Sequence, residues 1–140
     1  MPERKTLLFL CTGNSCRSQM AEGYARAMAD DDLEVLSAGI EAHGKNPRAI
    51  AVMAEDGVDI AEQASTRLTD EMLARADVLV TVCGHADEHC PVVPVGIEKH
   101  HWPLPDPAKA RGTEDEIMAE FRTVRDDIKR RVADLVAALK

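Results

Sequence analysis

The stretch Lys5-Thr-Leu-Leu-Phe-Leu-Cys-Thr-Gly-Asn-Ser-Cys-Arg-Ser18 decides how the rest of the chain is read. Lys5 to Leu10 is a short apolar run, and the turn-forming residues Thr12, Gly13, Asn14 and Ser15 behind it favour a strand over a helix fragment. From Ser18 the period becomes helical. Met20, Ala21, Tyr24, Ala25 and Met28 share one face, and Glu22 and Arg26 pair at i,i+4 on another. The unit is therefore strand, tight loop, helix, with Cys11 at the strand end and Arg17 at the helix start.

A loop that feeds a helix N-terminus gathers backbone N–H groups and the positive end of the helix dipole, which together form an anion site. A thiol facing such donors and a guanidinium favours its thiolate form. Arg17 offers a planar fork of donors suited to a tetrahedral oxyanion. Ser18 follows it and can donate its hydroxyl to the Cys11 sulfur. An inert, buried Cys11 before an ordinary turn is the competing reading, and Cys-x5-Arg-Ser at a strand-to-helix junction is more specific than that.

Composition narrows the function classes. A chain of 140 residues suits one domain, spanning residues 1–140, with a single core. Only four residues are aromatic, so Leu, Val, Ile, Ala and Met must build that core. The formal net charge of -8 disfavours nucleic acid and anionic membrane surfaces as partners. The apolar runs are strand-sized and the N-terminus has no apolar stretch of signal-peptide length, so a cytoplasmic protein is expected. Four cysteines in that compartment point to catalytic, redox or metal chemistry before structural disulfides. No large unpaired apolar face is visible, and a monomer is expected.

Along the chain, Asp30-Asp31-Asp32 breaks the first helix and Glu34 to Ala38 forms a second strand. Pro47 opens a helix that stops at Gly57, and Thr69 caps a short one ending near Ala76. Asp77 to Val82 is the strongest strand signal, apolar on both faces as in a central parallel strand. Val92 to Val95 and Lys99 to Trp102 offer one more strand, at the edge. Glu114 to Leu139 reads as a long amphipathic helix. Ile117, Phe121, Val124, Ile128, Val132, Leu135 and Leu139 lie on its inner face, with Arg125, Lys129, Arg130 and Arg131 on a solvated one. The alternation predicts a small parallel α/β sheet with helices on both faces. Cys11 and Cys83 then both follow strand C-terminal ends, the edge where such sheets bind ligands.

Cys11-Thr-Gly-Asn-Ser-Cys-Arg-Ser18 resembles the phosphate-binding loop shared by low-molecular-weight protein tyrosine phosphatases and the thioredoxin-coupled arsenate reductases built on the same fold. The longer string Cys11 to Gly23, with Ser37-Ala-Gly-Ile40, His43-Gly44 and Asn46-Pro47, resembles the reductase branch more closely. The resemblance runs from Lys5 to about Arg131. It implies a flavodoxin-like sheet of four parallel strands in order 2-1-3-4, with the oxyanion held by Thr12, Gly13, Asn14, Ser15, Cys16, Arg17 and Ser18. It also implies that Asp106, in Asp106-Pro107, is the general acid, and that thioredoxin is the reductant. Some reductases of this branch bind potassium through residues matching Asn14 and Ser37 and an acidic residue. That acid is missing from Ala64-Ser65-Thr66, and neither a metal nor a cofactor is expected.

Cys83 and Cys90 separate the two branches, because a phosphatase of this fold needs one thiol and a reductase must find two electrons. A zinc site is a competing reading, yet Cys83, His85, His89 and Cys90 match no common zinc spacing. The expected reaction is attack of Cys11 on arsenate, release of arsenite through Cys83, and a final Cys83–Cys90 disulfide that thioredoxin reduces. Cys16 could pair with Cys11 under oxidation, as its neighbour can in the phosphatases. Weak phosphatase activity is expected as a by-product. Phosphate-ester hydrolysis as the main activity, and a non-catalytic oxyanion sensor, stay open as alternatives. The missing tyrosines after Asp106-Pro107 count against the first.

Overall fold

The computed structural model describes residues 5–11, 16–29, 33–42, 44–82, 96–102, 104–105 and 107–139. Its centre is β1 (Lys5–Cys11), where Leu7, Leu8, Phe9 and Leu10 are all fully buried. Successive strand residues point to opposite faces, so burial of every one of them means that both faces of β1 are covered. β2 (Leu33–Gly39) pairs on one side and β3 (Val78–Thr81) on the other, with β4 (Glu98–His101) beyond β3. All pairings are parallel and the order is β2-β1-β3-β4, as expected from the resemblance.

Strand ends differ from the sequence expectation for local reasons. β3 starts at Val78 because Asp77 is spent as a clasp. Its carboxylate accepts from the Thr6 N–H (2.7 Å) and its own N–H donates to the Thr6 carbonyl (2.8 Å). β4 lies one residue earlier than Lys99 to Trp102, although Trp102 N–H still reaches the Thr81 carbonyl at 2.8 Å. Val92 to Val95 lies outside the described residues. A short parallel bridge between Gly39 and Arg67 extends the outer edge of β2, in a stretch that reads as a plain connection.

Helix α1 (Arg17–Met28) packs against α4 (Glu114–Leu139), against β2, and against α2 (Pro47–Glu55). It is therefore buried on nearly every side, not only along its apolar stripe: Arg17, Ser18, Gln19 and Glu22 are buried with Met20, Ala21, Tyr24 and Ala25. Glu22 does pair with Arg26 (2.6 Å), but its carboxylate also accepts from the Ser37 hydroxyl, which fastens α1 to β2. Asn46 caps α2 and Thr69 caps α3 (Asp70–Arg75) through bonds from Arg48 N–H (2.9 Å) and Met72 N–H (3.1 Å). Gly57, at φ 78°, lets the chain turn sharply after α2.

The inner face of α4 carries Phe121, Val124, Ile128, Val132, Leu135 and Val136 into the core. Its basic residues are not simply solvated. Arg122 and Arg125 reach Glu55 of α2, Arg125 also reaches the Val52 carbonyl (3.0 Å), and Lys129 reaches Asp56 (2.9 Å). No helix among the described residues is long and apolar enough to cross a membrane.

Candidate active site

The parallel sheet delivers several chain segments to one edge. β1 ends at Cys11, opposite Gly39 in the register, and the Cys11 carbonyl accepts from Ile40 N–H at 3.1 Å. Beyond β3, Val82 N–H donates to the Leu10 carbonyl (2.9 Å), so the chain leaves for Cys83 from beside the end of β1. β4 leaves the same edge through Trp102 and Leu104 toward Asp106. The parallel order thus brings the ends of β1, β3 and β4 to one end of the sheet.

Cys11 is buried, and its Sγ lies 2.8 Å from Ser18 Oγ. Either atom can donate. With the thiolate, the hydroxyl is the donor, a charge-assisted bond stronger than a neutral one. Ser18 reaches this place because it occupies the first turn of α1, where the helix axis is already fixed by burial. Arg17 opens the helix and is also buried; its Nη1 donates to the Leu104 carbonyl at 2.9 Å. Cys16 is buried at the junction, and its carbonyl takes the first helical bond, from Met20 N–H at 2.9 Å.

Thr12, Gly13, Asn14 and Ser15 lie outside the described residues, as do Cys83, Cys90 and Asp106. Of the expected site, the structure therefore brings together the Cys11 sulfur and the Ser18 hydroxyl, with Arg17 and Cys16 beside them in the chain.

Two polar features behind the site escape a reading of side-chain types. Gln19, fully buried, donates to the Ala64 carbonyl (2.9 Å), and Gln63 donates back to Gln19 Oε1 (2.8 Å), which ties residues 63–64 to the first turn of α1. Leu104 contributes a backbone carbonyl, for which its side chain gives no signal. A glutamine buried in an otherwise apolar helix stripe is the one clue the sequence offers to the former.

A thiol at the end of the central strand, a hydroxyl against it and an arginine opening the next helix define a class of small parallel α/β protein built around a cysteine. Residues 6–140 match the model of the low molecular weight phosphotyrosine protein phosphatase family, and the chain belongs to that family. Within it the similarity is to arsenate reductases. The chain is 54% identical to one from Halalkalibacterium halodurans, over 92% of this chain and 93% of that protein. It is 50% identical to one from Bacillus subtilis, over 94% and 95%. A solved arsenate reductase in its phosphate-binding state superposes with a TM-score of 0.80 at 34% identity, covering 97% of this chain and 99% of the other.

Proposed function

We propose that this protein reduces arsenate to arsenite by a relay of three cysteines. The observation that carries the reading is the Cys11 sulfur 2.8 Å from the Ser18 hydroxyl, in a chain whose full-length relatives at half identity are arsenate reductases. The phosphate-binding state of a structural relative supports an oxyanion in the loop.

In this mechanism arsenate sits in the loop from Thr12 to Ser18, with Arg17 across two of its oxygens. The Cys11 thiolate attacks arsenic while Asp106 protonates the departing oxygen, and a Cys11–arsenic adduct forms. Cys83 thiolate then attacks the Cys11 sulfur. The sulfur–arsenic bond breaks with its electron pair left on arsenic, so arsenic(V) becomes arsenic(III) and two thiols become the Cys11–Cys83 disulfide. Cys90 attacks Cys83, frees Cys11 and leaves the Cys83–Cys90 disulfide. Two electrons from thioredoxin close the cycle. Arsenic detoxification is the physiological role that follows.

Phosphate-ester hydrolysis is the second reading, favoured by the family itself. A Cys11–phosphate adduct has no accessible two-electron reduction, and water resolves it. The deciding experiment follows arsenate-dependent NADPH consumption with thioredoxin and thioredoxin reductase, for native protein and for Cys11→Ser, Cys83→Ser and Cys90→Ser. Loss of multiple turnover in all three variants is expected. Normal turnover in Cys83→Ser and Cys90→Ser refutes the relay, and aryl phosphatase activity without NADPH consumption makes the protein a phosphatase.

A further inference from the structure

Arg17 and Leu104 are 87 residues apart, yet the guanidinium and the carbonyl meet in a buried bond of 2.9 Å. The acceptor is itself held from both sides. Leu104 N–H donates to the Trp102 carbonyl (2.8 Å), a tight turn, and Trp102 N–H donates to the Thr81 carbonyl at the end of β3 (2.8 Å). The Trp102 ring leans on Phe9 of β1, with centroids 5.9 Å apart. On the other side, Pro105 keeps the residue before it out of the helical region. Further on, Pro107 is buried at the start of the 3-10 turn Pro107–Lys109, which packs against α4. One residue separates the two prolines in the sequence, and it is Asp106.

We propose that Arg17 couples the oxyanion site to the segment that carries the acid, with Leu104-Pro105 as its positioning element. The coupling rests on the proposed function, with the oxyanion at Cys11 and Asp106 as its acid. The bond from Nη1 to a fixed carbonyl restricts the guanidinium fork before the oxyanion arrives. The same bond ties residues 102–105 to the first turn of α1. Coupling of this kind is reciprocal: an oxyanion that immobilises the guanidinium also steadies the Leu104 carbonyl, and a loosened carbonyl leaves the acid misplaced. Pro105 is exposed and outside the core, so Pro105→Gly frees the Leu104 backbone without opening a cavity.

The test uses inorganic phosphate as the probe and three readouts. Protection of Cys11 from iodoacetamide reports binding. Hydrogen exchange of the amides in 102–110 reports the segment. Steady-state kinetics with arsenate and with an aryl phosphate report the acid. In the native protein, saturating phosphate slows exchange at Trp102 and Leu104 about fivefold or more. In Pro105→Gly that slowing is lost and kcat falls about tenfold. KM and phosphate affinity stay within about threefold, and the decline of rate on the alkaline side flattens because the acid no longer contributes. Phosphate that protects Cys11 but leaves exchange in 102–110 unchanged overturns the coupling, as does a Pro105→Gly variant with native kcat and pH profile. Failure of phosphate to protect Cys11 at all overturns the oxyanion reading, and the coupling falls with it.

Discussion

Gly23 sits inside α1, where glycine costs about 1 kcal/mol relative to alanine, so Gly23→Ala looks stabilising from helix propensity alone. The structure predicts the opposite. A Cβ built at Gly23 lies 2.6 Å from Ile60 Cγ2, 3.0 Å from Met53 Cε and 3.2 Å from Val58 Cγ1. Unstrained carbon pairs stay about 3.5–4.0 Å apart. The Met53 methyl ends a flexible chain and can swing aside. Ile60 is branched at Cβ and stiff, and its segment cannot retreat, because Gln63 N–H holds the Ile60 carbonyl (3.1 Å) while Gln19 and Gln63 stitch residues 63–64 to α1. Overpacking of this sort costs about 1–3 kcal/mol. A 2.6 Å approach to a stiff, branched side chain puts this case in the upper part of that range, about 2–3 kcal/mol, so against the propensity gain of about 1 kcal/mol the expected net loss is about 1–2 kcal/mol, or ~5 °C in Tm for a chain of this size. Urea and thermal unfolding followed by circular dichroism measure it. In a double-mutant cycle, Ile60→Ala removes the clashing methyl, so the pair is less destabilised than the sum of its parts. A Gly23→Ala protein as stable as native, or more stable by the propensity increment, refutes the close-approach account.

Ser18→Ala removes the hydroxyl against the Cys11 sulfur (2.8 Å); alkylation of Cys11 by iodoacetamide at neutral pH slows about tenfold, and arsenate turnover falls at least as much, because a hydrogen bond to a charged group is worth about 1.5–3 kcal/mol. Stability also changes at both ends of the pH range. The Asp56 carboxyl is held below its ordinary value by bonds from Lys129 and from the Tyr24 hydroxyl, and Arg122 does the same for Glu55. Groups lowered on folding contribute fully above their unfolded values, and that contribution is lost as pH falls through about 4 and below. Burial first, then the Asp56 carboxylate, raises the Tyr24 phenol well above its ordinary 10.0. Its contribution is present below about pH 10 and declines above it. Tyr24→Phe removes this alkaline loss, which denaturation midpoints between pH 9 and 11 detect, and an unchanged slope there excludes Tyr24 as its source.

The central strands were legible because burial on both faces leaves a continuous apolar run, as in Lys5 to Cys11 and Asp77 to Val82, whereas the order of the sheet came from the family resemblance of the Cys11 loop. Of the candidate site, the contact between Cys11 and Ser18 was legible, because the spacing Cys-x5-Arg-Ser across a strand-to-helix junction returns the hydroxyl to the thiol. Asp77 was misread as strand because an aspartate that clasps a neighbouring strand with its carboxylate looks the same, in one dimension, as the polar end of that strand. The pairing of Glu22 with Arg26 was legible, but the second bond of Glu22, to Ser37, was not. An i,i+4 ion pair normally marks a solvated face, but a helix surrounded by β2, α2 and α4 has little solvated face left, and Glu22 turns to Ser37. The Leu104 carbonyl was illegible in principle, since every residue has a carbonyl and only the tertiary path shows which one Arg17 meets.

The distribution of charge follows from the same geometry. With a net charge of -8, the whole-molecule field disfavours a small anion, so the proposed oxyanion site must act through local donors. The basic row of α4 is largely committed: Arg122 and Arg125 to Glu55, Lys129 to Asp56, and Arg130 and Arg131 to Asp127. Those pairs bind α4 to α2 and steady its own surface, and they leave the row little pull on a polyanion. Arg17 is placed differently. It is buried in the first turn of α1, and its Nη1 donates to the neutral Leu104 carbonyl, which helps to orient the charged guanidinium. Burial removes the water that would screen that charge, so its reach is short and strong. In the proposed function that short reach acts on an oxyanion at the end of the central strand, while the paired row of α4 serves to hold that helix against α2.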